Sequence, residues 1–374
     1  MVVSNSGRMR KLKDKIRIAL NAELLFDMVQ GAVVTSRFTL DDLDKIFKKN
    51  ENEMYNNILK NNIKIFCLKR DDILDNPYLK NISIKEEQIG NMVYSNKRRI
   101  RTNTLALYSE DERDLDNYFL KKEYFVPERV VDVPILHEKD KTVAWMSIEP
   151  HEVRTLDKFI NEAYGNVLIC GCGLGYTAYM LALKKNVSSI TIIEKNEDII
   201  ELFKNQVFSK IPNNDRINII KCDANDYLNN SDLSIYDYIN VDLWYDTFDM
   251  VYPYLKCLML ESKYPNTHFT YWIEQSLFVE IQRELLSFVA DEKFTDNVSQ
   301  VSDISRGIVS VSHDLINNQE SLNNFISFDN IRKRLLEWAI NNVDVVEKMG
   351  ADIEEQEEML TTAVTKLLSR SKNY

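Results

Sequence analysis

The sequence is short of the residues that most often announce a site. Its 5 cysteines are odd in number, and three of them lie in or beside apolar stretches. That argues against a disulfide framework and for a reducing compartment. Cys170-x-Cys172 is too tight for a CxxC pair, and no second pair stands at zinc spacing. The 4 histidines are scattered and unpaired, so no metal site is expected. No uninterrupted apolar run approaches membrane-spanning length. Basic residues precede the stretch from Ile18 to Val34, but Asn21, Glu23, Asp27 and Gln30 interrupt it. It therefore reads as an amphipathic helix and not as a signal peptide, and a cytoplasmic location is expected. Positive charge is also in deficit. A net charge of -11 and a pI near 5.1 argue against nucleic-acid and membrane partners, which need clustered Lys and Arg. The run Lys97-Arg98-Arg99-Ile100-Arg101 is the local exception and reads as a solvated loop.

A hydrophobic fraction of 44% and a charged fraction of 28% are those of a globular chain, and 374 residues exceed one average domain. Residues 1–90 carry helical spacing, with Thr39 as an N-cap ahead of Leu40, Leu43, Ile46 and Phe47; they are expected to form a helical accessory region. Residues 91–150 turn β-rich. Val130 to Leu136 and Thr142 to Met146 flank a polar stretch and suggest a hairpin. From 151 to 290 strands alternate with helices, which implies βαβ units and a mostly parallel sheet with helices on both faces. Residues 291–374 read as a mainly helical extension. There Ile331, Leu335, Leu336, Ala339 and Val343 form one apolar stripe, suited to the core or to a homodimer contact.

Four of the chain's 9 glycines, Gly165, Gly171, Gly173 and Gly175, crowd into eleven residues. The stretch Val167-Leu168-Ile169-Cys170-Gly171-Cys172-Gly173-Leu174-Gly175-Tyr176 leaves a strand and enters a helix. Glycine there permits tight turning and close approach of a ligand to the backbone. The next strand ends at Glu194-Lys195, the third at Asp223-Ala224 and the fourth at Asp242. In an open parallel sheet, ligands bind beyond the carboxyl ends of the strands, so a glycine loop and three acids converge on one crevice.

This constellation, over roughly residues 145 to 290, resembles the class I S-adenosylmethionine-dependent methyltransferase superfamily. The resemblance implies a Rossmann-like fold and S-adenosylmethionine as cofactor. It implies that Gly171, Cys172, Gly173, Leu174, Gly175 and Tyr176 form the loop on the methionine part, that Glu194 and Lys195 sit at the ribose, and that Asp223 with Ala224 meets the adenine. It also places Asp242 beside the reacting sulfonium, and a small molecule as acceptor. Two departures bear on the transferred group. Ile169 stands where most such methyltransferases carry an acid; spermidine-synthase-like members have an apolar residue there too. Leu174 stands where those members carry an acid of their own.

Methyl transfer needs a positioned nucleophile and a group to take its proton. Asp242 is the first candidate for that proton. Trp244 and Tyr245 can wall the site with aromatic faces, which suit a cation, or pack in the core. His151 precedes the first strand of the core, where it can act as a base or serve as a helix-capping surface residue. An aminopropyltransferase, with Asp246 and Asp249 as amine-binding acids, and a non-catalytic assembly module are the alternatives.

Overall fold

The computed structural model describes residues 2–27, 34, 61–141, 144–291, 300–310 and 318–348. Thr39 and the apolar positions after it lie outside the described residues.

The centre of the chain forms a five-stranded parallel sheet. Its strands are β8 (Gly165–Cys170), β9 (Val187–Glu194), β10 (Ile217–Lys221), β11 (Tyr238–Val241) and β12 (His268–Tyr271), in the spatial order β10-β9-β8-β11-β12. All four pairings are parallel. Such strands are sandwiched between helices and so read as nearly continuous apolar runs. Val167-Leu168-Ile169-Cys170 is buried throughout, as is β11. Alternate side chains serve opposite faces. Val167, Ile169 and Tyr238 pack against α4 (Pro150–Glu162), α5 (Tyr176–Ala182) and α6 (Glu197–Gln206). Leu168, Cys170, Ile239 and Val241 face a second core built with α8 (Thr247–Glu261) and α9 (Glu274–Asp291).

Local chemistry sets the ends of these helices. Pro150 occupies the first turn of α4, where its missing N–H costs nothing. Asn196 caps α6 by accepting the Asp198 and Ile199 N–H groups. Asp223 caps α7 (Ala224–Asn230) in the same way, through the N–H of Asn225.

The hairpin read from the sequence is present: β6 (Val131–Glu138) pairs antiparallel with β7 (Ala144–Ser147). It belongs to a four-stranded sheet, β2-β3-β6-β7, with β2 at Glu87–Ile89 and β3 at Met92–Ile100. A third sheet orders β1 (Ile63–Leu68), β5 (Leu120–Pro127) and β4 (Ala106–Arg113). Residues 1–90 are therefore not wholly helical, since they supply β1 and β2. The basic run is also not a loop. Lys97 to Ile100 lie in β3, and partners from three other segments neutralise it: Lys97 pairs with Glu86, Arg98 with Glu149 at 2.8 Å and Arg99 with Asp132 at 2.9 Å.

The first helix, α1 (Val2–Asp27), begins earlier than its sequence pattern suggested. Leu12, Ile16 and Ala19 join the second core, and a buried ion pair ties Glu23 to Arg113 of β4. The C-terminal helices α10 (Gln300–Ser310), α11 (Gln319–Ile326) and α12 (Phe328–Asn341) cover the same side. Within the stripe read from the sequence, Ile331, Leu335 and Ala339 are buried against this chain's own helices, while Val343 is exposed. Among the described residues no helix is long and apolar enough to cross a membrane.

Candidate functional site

Strand order reverses between β8 and β11, the position at which open parallel sheets form a ligand crevice. Cys170 pairs with Val241, so the two strands end level. The chain then turns at Gly171, whose φ of 102° is left-handed. A Cβ at Gly171 would meet only the backbone oxygen of Asp242, at 3.3 Å. The other two glycines are needed for packing. A Cβ on Gly173 would lie 2.5 Å from the Met146 sulfur, and one on Gly175 2.3 Å from a ring carbon of Phe203.

The loop is held from several sides. Its Gly171 N–H donates to the Ile193 carbonyl at 2.8 Å, and the Tyr78 hydroxyl donates to the Leu174 carbonyl at 2.6 Å. The Tyr94 hydroxyl donates to the Gly173 carbonyl, and the Leu174 N–H points at the Met146 sulfur at 3.2 Å. Glu194, buried at the end of β9, accepts the Cys172 N–H at 3.0 Å and the Asn196 N–H at 2.8 Å, one on each oxygen. Each oxygen keeps further acceptor capacity. Leu174 and Tyr176 are buried, and burial, with Glu194 second, holds the Cys172 thiol well above its ordinary range. Asp223 spends one oxygen on the α7 cap and faces Lys195 at 3.7 Å. Ala224 is buried beside it.

Across the crevice the picture changes. The Asp242 side chain is exposed, yet surrounding protein and, second, the charge of Glu152 push its carboxyl up to about 7. Glu152, on the first turn of α4, is likewise pushed up to about 7, mainly by burial. Hydrogen bonds partly offset this: Glu152 accepts the Ser147 N–H at 3.0 and 2.8 Å, and the Ser147 hydroxyl as well. Two acids at neighbouring strand and helix ends thus hold protons near neutrality, the condition for general acid–base work.

The aromatic pair after Asp242 splits. Trp244 is buried, its indole N–H donating to the Trp272 carbonyl at 3.0 Å, so it belongs to the core. Tyr245 is exposed, and its backbone N–H is held by Asp249 at 3.0 and 2.9 Å. Asp249 also accepts the Asp246 N–H at 2.9 Å, so its carboxylate is spent on the turn before α8. His151 is half-buried, with Nδ1 3.2 Å from the Tyr108 carbonyl. It lines a cavity of about 310 Å³ between β4, α4, the end of β12 and the start of α9. Asp242 is not among that cavity's walls, but Asn240, two residues before it on the same strand face, is.

Sequence reasoning missed Glu152, Met146 and Asn240. For Asn240 a signal was available: it is a polar residue inside the otherwise apolar, fully buried strand Tyr-Ile-Asn-Val. Glu152 looked like an ordinary acid in a first helical turn, and nothing in the sequence joins Met146 to Leu174.

No protein-family profile matches the sequence, and no curated protein matches it at a significant level. Among solved structures it is similar to the Trypanosoma brucei PRMT1 enzyme–prozyme complex with AdoHcy, at 16% identity over 31% of this chain and 36% of that one, with a TM-score of 0.24. It is similar to a putative caffeoyl-CoA O-methyltransferase from Staphylococcus aureus, at 20% identity over 42% and 70% of the chains, with a TM-score of 0.26. It is also similar to the spermidine synthase of Thermotoga maritima, at 12% identity over 49% and 64%, with a TM-score of 0.28. The chain thus spans about a third of the first of these. What identifies the α/β core as Rossmann-like is its own strand order and glycine turn.

Proposed function

We propose that the chain is an S-adenosylmethionine-dependent transferase that moves a methyl group to a small-molecule acceptor. One observation carries this reading: the exposed Asp242 follows a strand that ends level with the glycine turn at the switch point, and its backbone oxygen is the one atom a Cβ on Gly171 would meet.

The residues fit the cofactor. Glu194, with acceptor capacity left on both oxygens, would hold the ribose hydroxyls. Asp223 with Ala224 would meet the adenine, and Gly171 offers backbone that no side chain of its own obstructs. Met146 already takes the Leu174 N–H, so the methionine part would rest on the Gly171 side of the loop. The bound cofactor would supply an electrophilic methyl carbon. Asp242 takes the proton from the acceptor's oxygen or nitrogen, and the nearby charge of Glu152 keeps it basic enough to do so near neutral pH. Tyr245, exposed beside it, offers a ring face to a cationic centre.

Aminopropyl transfer is the weaker reading. Leu174 is buried and apolar, and Asp249 is engaged with backbone. A non-catalytic module draws support from the Met146 sulfur seated on the loop. Calorimetric titration separates these readings. Heat of binding with S-adenosylhomocysteine is expected, and no heat with it or with S-adenosylmethionine would leave the module reading. Methylthioadenosine released in the presence of putrescine would establish aminopropyl transfer instead.

A further inference from the structure

The cavity of about 310 Å³ beside the crevice has polar walls whose acids and cations are unequally engaged. The acids are answered by the chain's own groups. Glu110 pairs with Lys122 at 3.0 Å, and Glu274 takes both Arg332, at 3.0 Å, and the Tyr254 hydroxyl, at 2.6 Å. The cations are less fully used. His151, Arg154 and Lys158 stand at i, i+3 and i+7 of α4, on one helical face, and all three line the cavity. Arg154 faces Asp157 at 3.6 Å, longer than a hydrogen bond, so its guanidinium donors stay open. Lys158 is exposed and has no ion pair among the described residues.

The first turn of α9 supplies donors of another kind. Glu274, Gln275 and Ser276 line the cavity, and they precede the first bond of the helix, from the Leu277 N–H to the Ile273 carbonyl at 3.1 Å. Backbone N–H groups so placed need a partner from outside the helix. The residue ahead of them is Ile273, at a left-handed φ of 54°, and its side chain has no acceptor to offer. The three N–H groups have no hydrogen-bond partner among the described residues. Asn240 reaches the same cavity from β11 and is only 3% exposed. Its Oδ1 accepts the Thr270 hydroxyl at 3.2 Å, and its amide nitrogen has no hydrogen bond among the described residues. A donor set this deep costs free energy unless something accepts from it. The amide, the helix end and the two cations all lack the same thing, an acceptor carrying negative charge.

We infer that this cavity binds a small organic anion through its carboxylate or phosphate group, which completes the Asn240 amide and the first turn of α9, with Arg154 and Lys158 at the rim. The helix end contributes partial positive charge as well as N–H donors. Such local donors are what an anion site requires in a chain of net charge -11. The volume, at the low end for ligand pockets, admits a few carbons beyond the headgroup and no nucleotide. The site stands on its own residues and holds whether or not the crevice takes S-adenosylmethionine.

NMR titration of the full chain at constant ionic strength tests it, with butyrate, butyramide and inorganic phosphate as probes. Butyramide has the shape of butyrate without its charge. At least one of the two anions is expected to bind on the order of tenfold more tightly than butyramide, and which one does so identifies the group. Ser276→Asp gives the helix end a carboxylate of the chain's own, where acids stabilise a first turn. Anion binding should be abolished while the melting temperature stays the same or rises, which separates lost binding from lost folding. Lys158→Glu, at the exposed rim, should weaken the anion and leave butyramide unaffected, and it decides the matter if Ser276→Asp lowers the melting temperature. Butyramide binding as tightly as both anions would overturn the inference. So would anion binding that survives Ser276→Asp, or an anion affinity unchanged by Lys158→Glu.

Discussion

The two banks of the crevice are built on opposite terms. On the β8–β9 bank nearly every polar group has found a partner within the chain. Glu194 holds two backbone N–H groups, tyrosines 78 and 94 donate to the loop carbonyls, and Met146 covers the Leu174 N–H. On the β11–β12 bank the accounts are left open. The Asp242 carboxyl is pushed upward there, the Asn240 amide nitrogen has no hydrogen bond among the described residues, and Ile273 is left-handed. Full satisfaction gives a rigid surface of fixed shape, whereas strain and unmatched charge are what a reacting or binding group requires.

Substitutions on each bank should therefore fail in different ways. Asp242→Asn is expected to lower methyl transfer by roughly 10²–10⁴-fold with the fold's stability intact. Turnover within threefold of wild type, in a stopped assay with radiolabelled cofactor, would remove Asp242 from the chemistry. Gly175→Ala should do the reverse. Its Cβ would enter the Phe203 ring at a φ of 74°, so urea unfolding should show a loss of about 2–4 kcal/mol. A loss below about 1 kcal/mol would mean that the loop yields easily.

Acidity distinguishes the banks a third way. The folded-state pKa of Glu152 lies above its ordinary value near 4.5. Its contribution to stability is therefore present in full below about pH 4.5 and is lost as pH rises through about 7. Glu152→Gln should gain stability over wild type at pH 8, by about 1–2 kcal/mol after discounting its hydrogen bonds to Ser147, and should gain none near pH 4. An offset equal at both pH values would refute the raised pKa. The smallest effect is expected at Met146→Leu, which exchanges the sulfur acceptor for carbon at nearly constant volume. Stability should fall by about 0.5 kcal/mol, with faster hydrogen exchange at the Leu174 amide as the diagnostic. Unchanged exchange there would show that the sulfur does not protect it.

How legible each part was in the sequence follows from the range of the interactions that made it. Elements set by neighbours along the chain were plain. The alternation of strands and helices from Val167 to Tyr271 depends on nearby residues. The glycine loop does too, because left-handed turning is a property of single positions. Pairings across long separations left no trace. β1 runs parallel to β5 in the register Ile63 to Lys122, and no local pattern in 1–90 announces it. The basic run misled for the same reason, since its neutralising acids come from segments around Glu86, Asp132 and Glu149. Glu194, Asp223 and Asp242 could be assigned to one sheet edge from spacing alone. Their present partners, and the burial of Trp244 beside an exposed Tyr245, depend on packing that spacing does not encode.

The level ending of β8 and β11 makes the site digital. Strand side chains alternate faces, so losing one residue between Tyr238 and Val241 would not shift Asp242 slightly. It would turn that carboxylate to the opposite side of the sheet, among Leu255 and its neighbours, and aim an apolar residue at the crevice. The Rossmann-like scaffold would survive such a deletion far better than its chemistry. Loops in this chain can drift in length, but the count of residues in this four-residue strand is held to an integer.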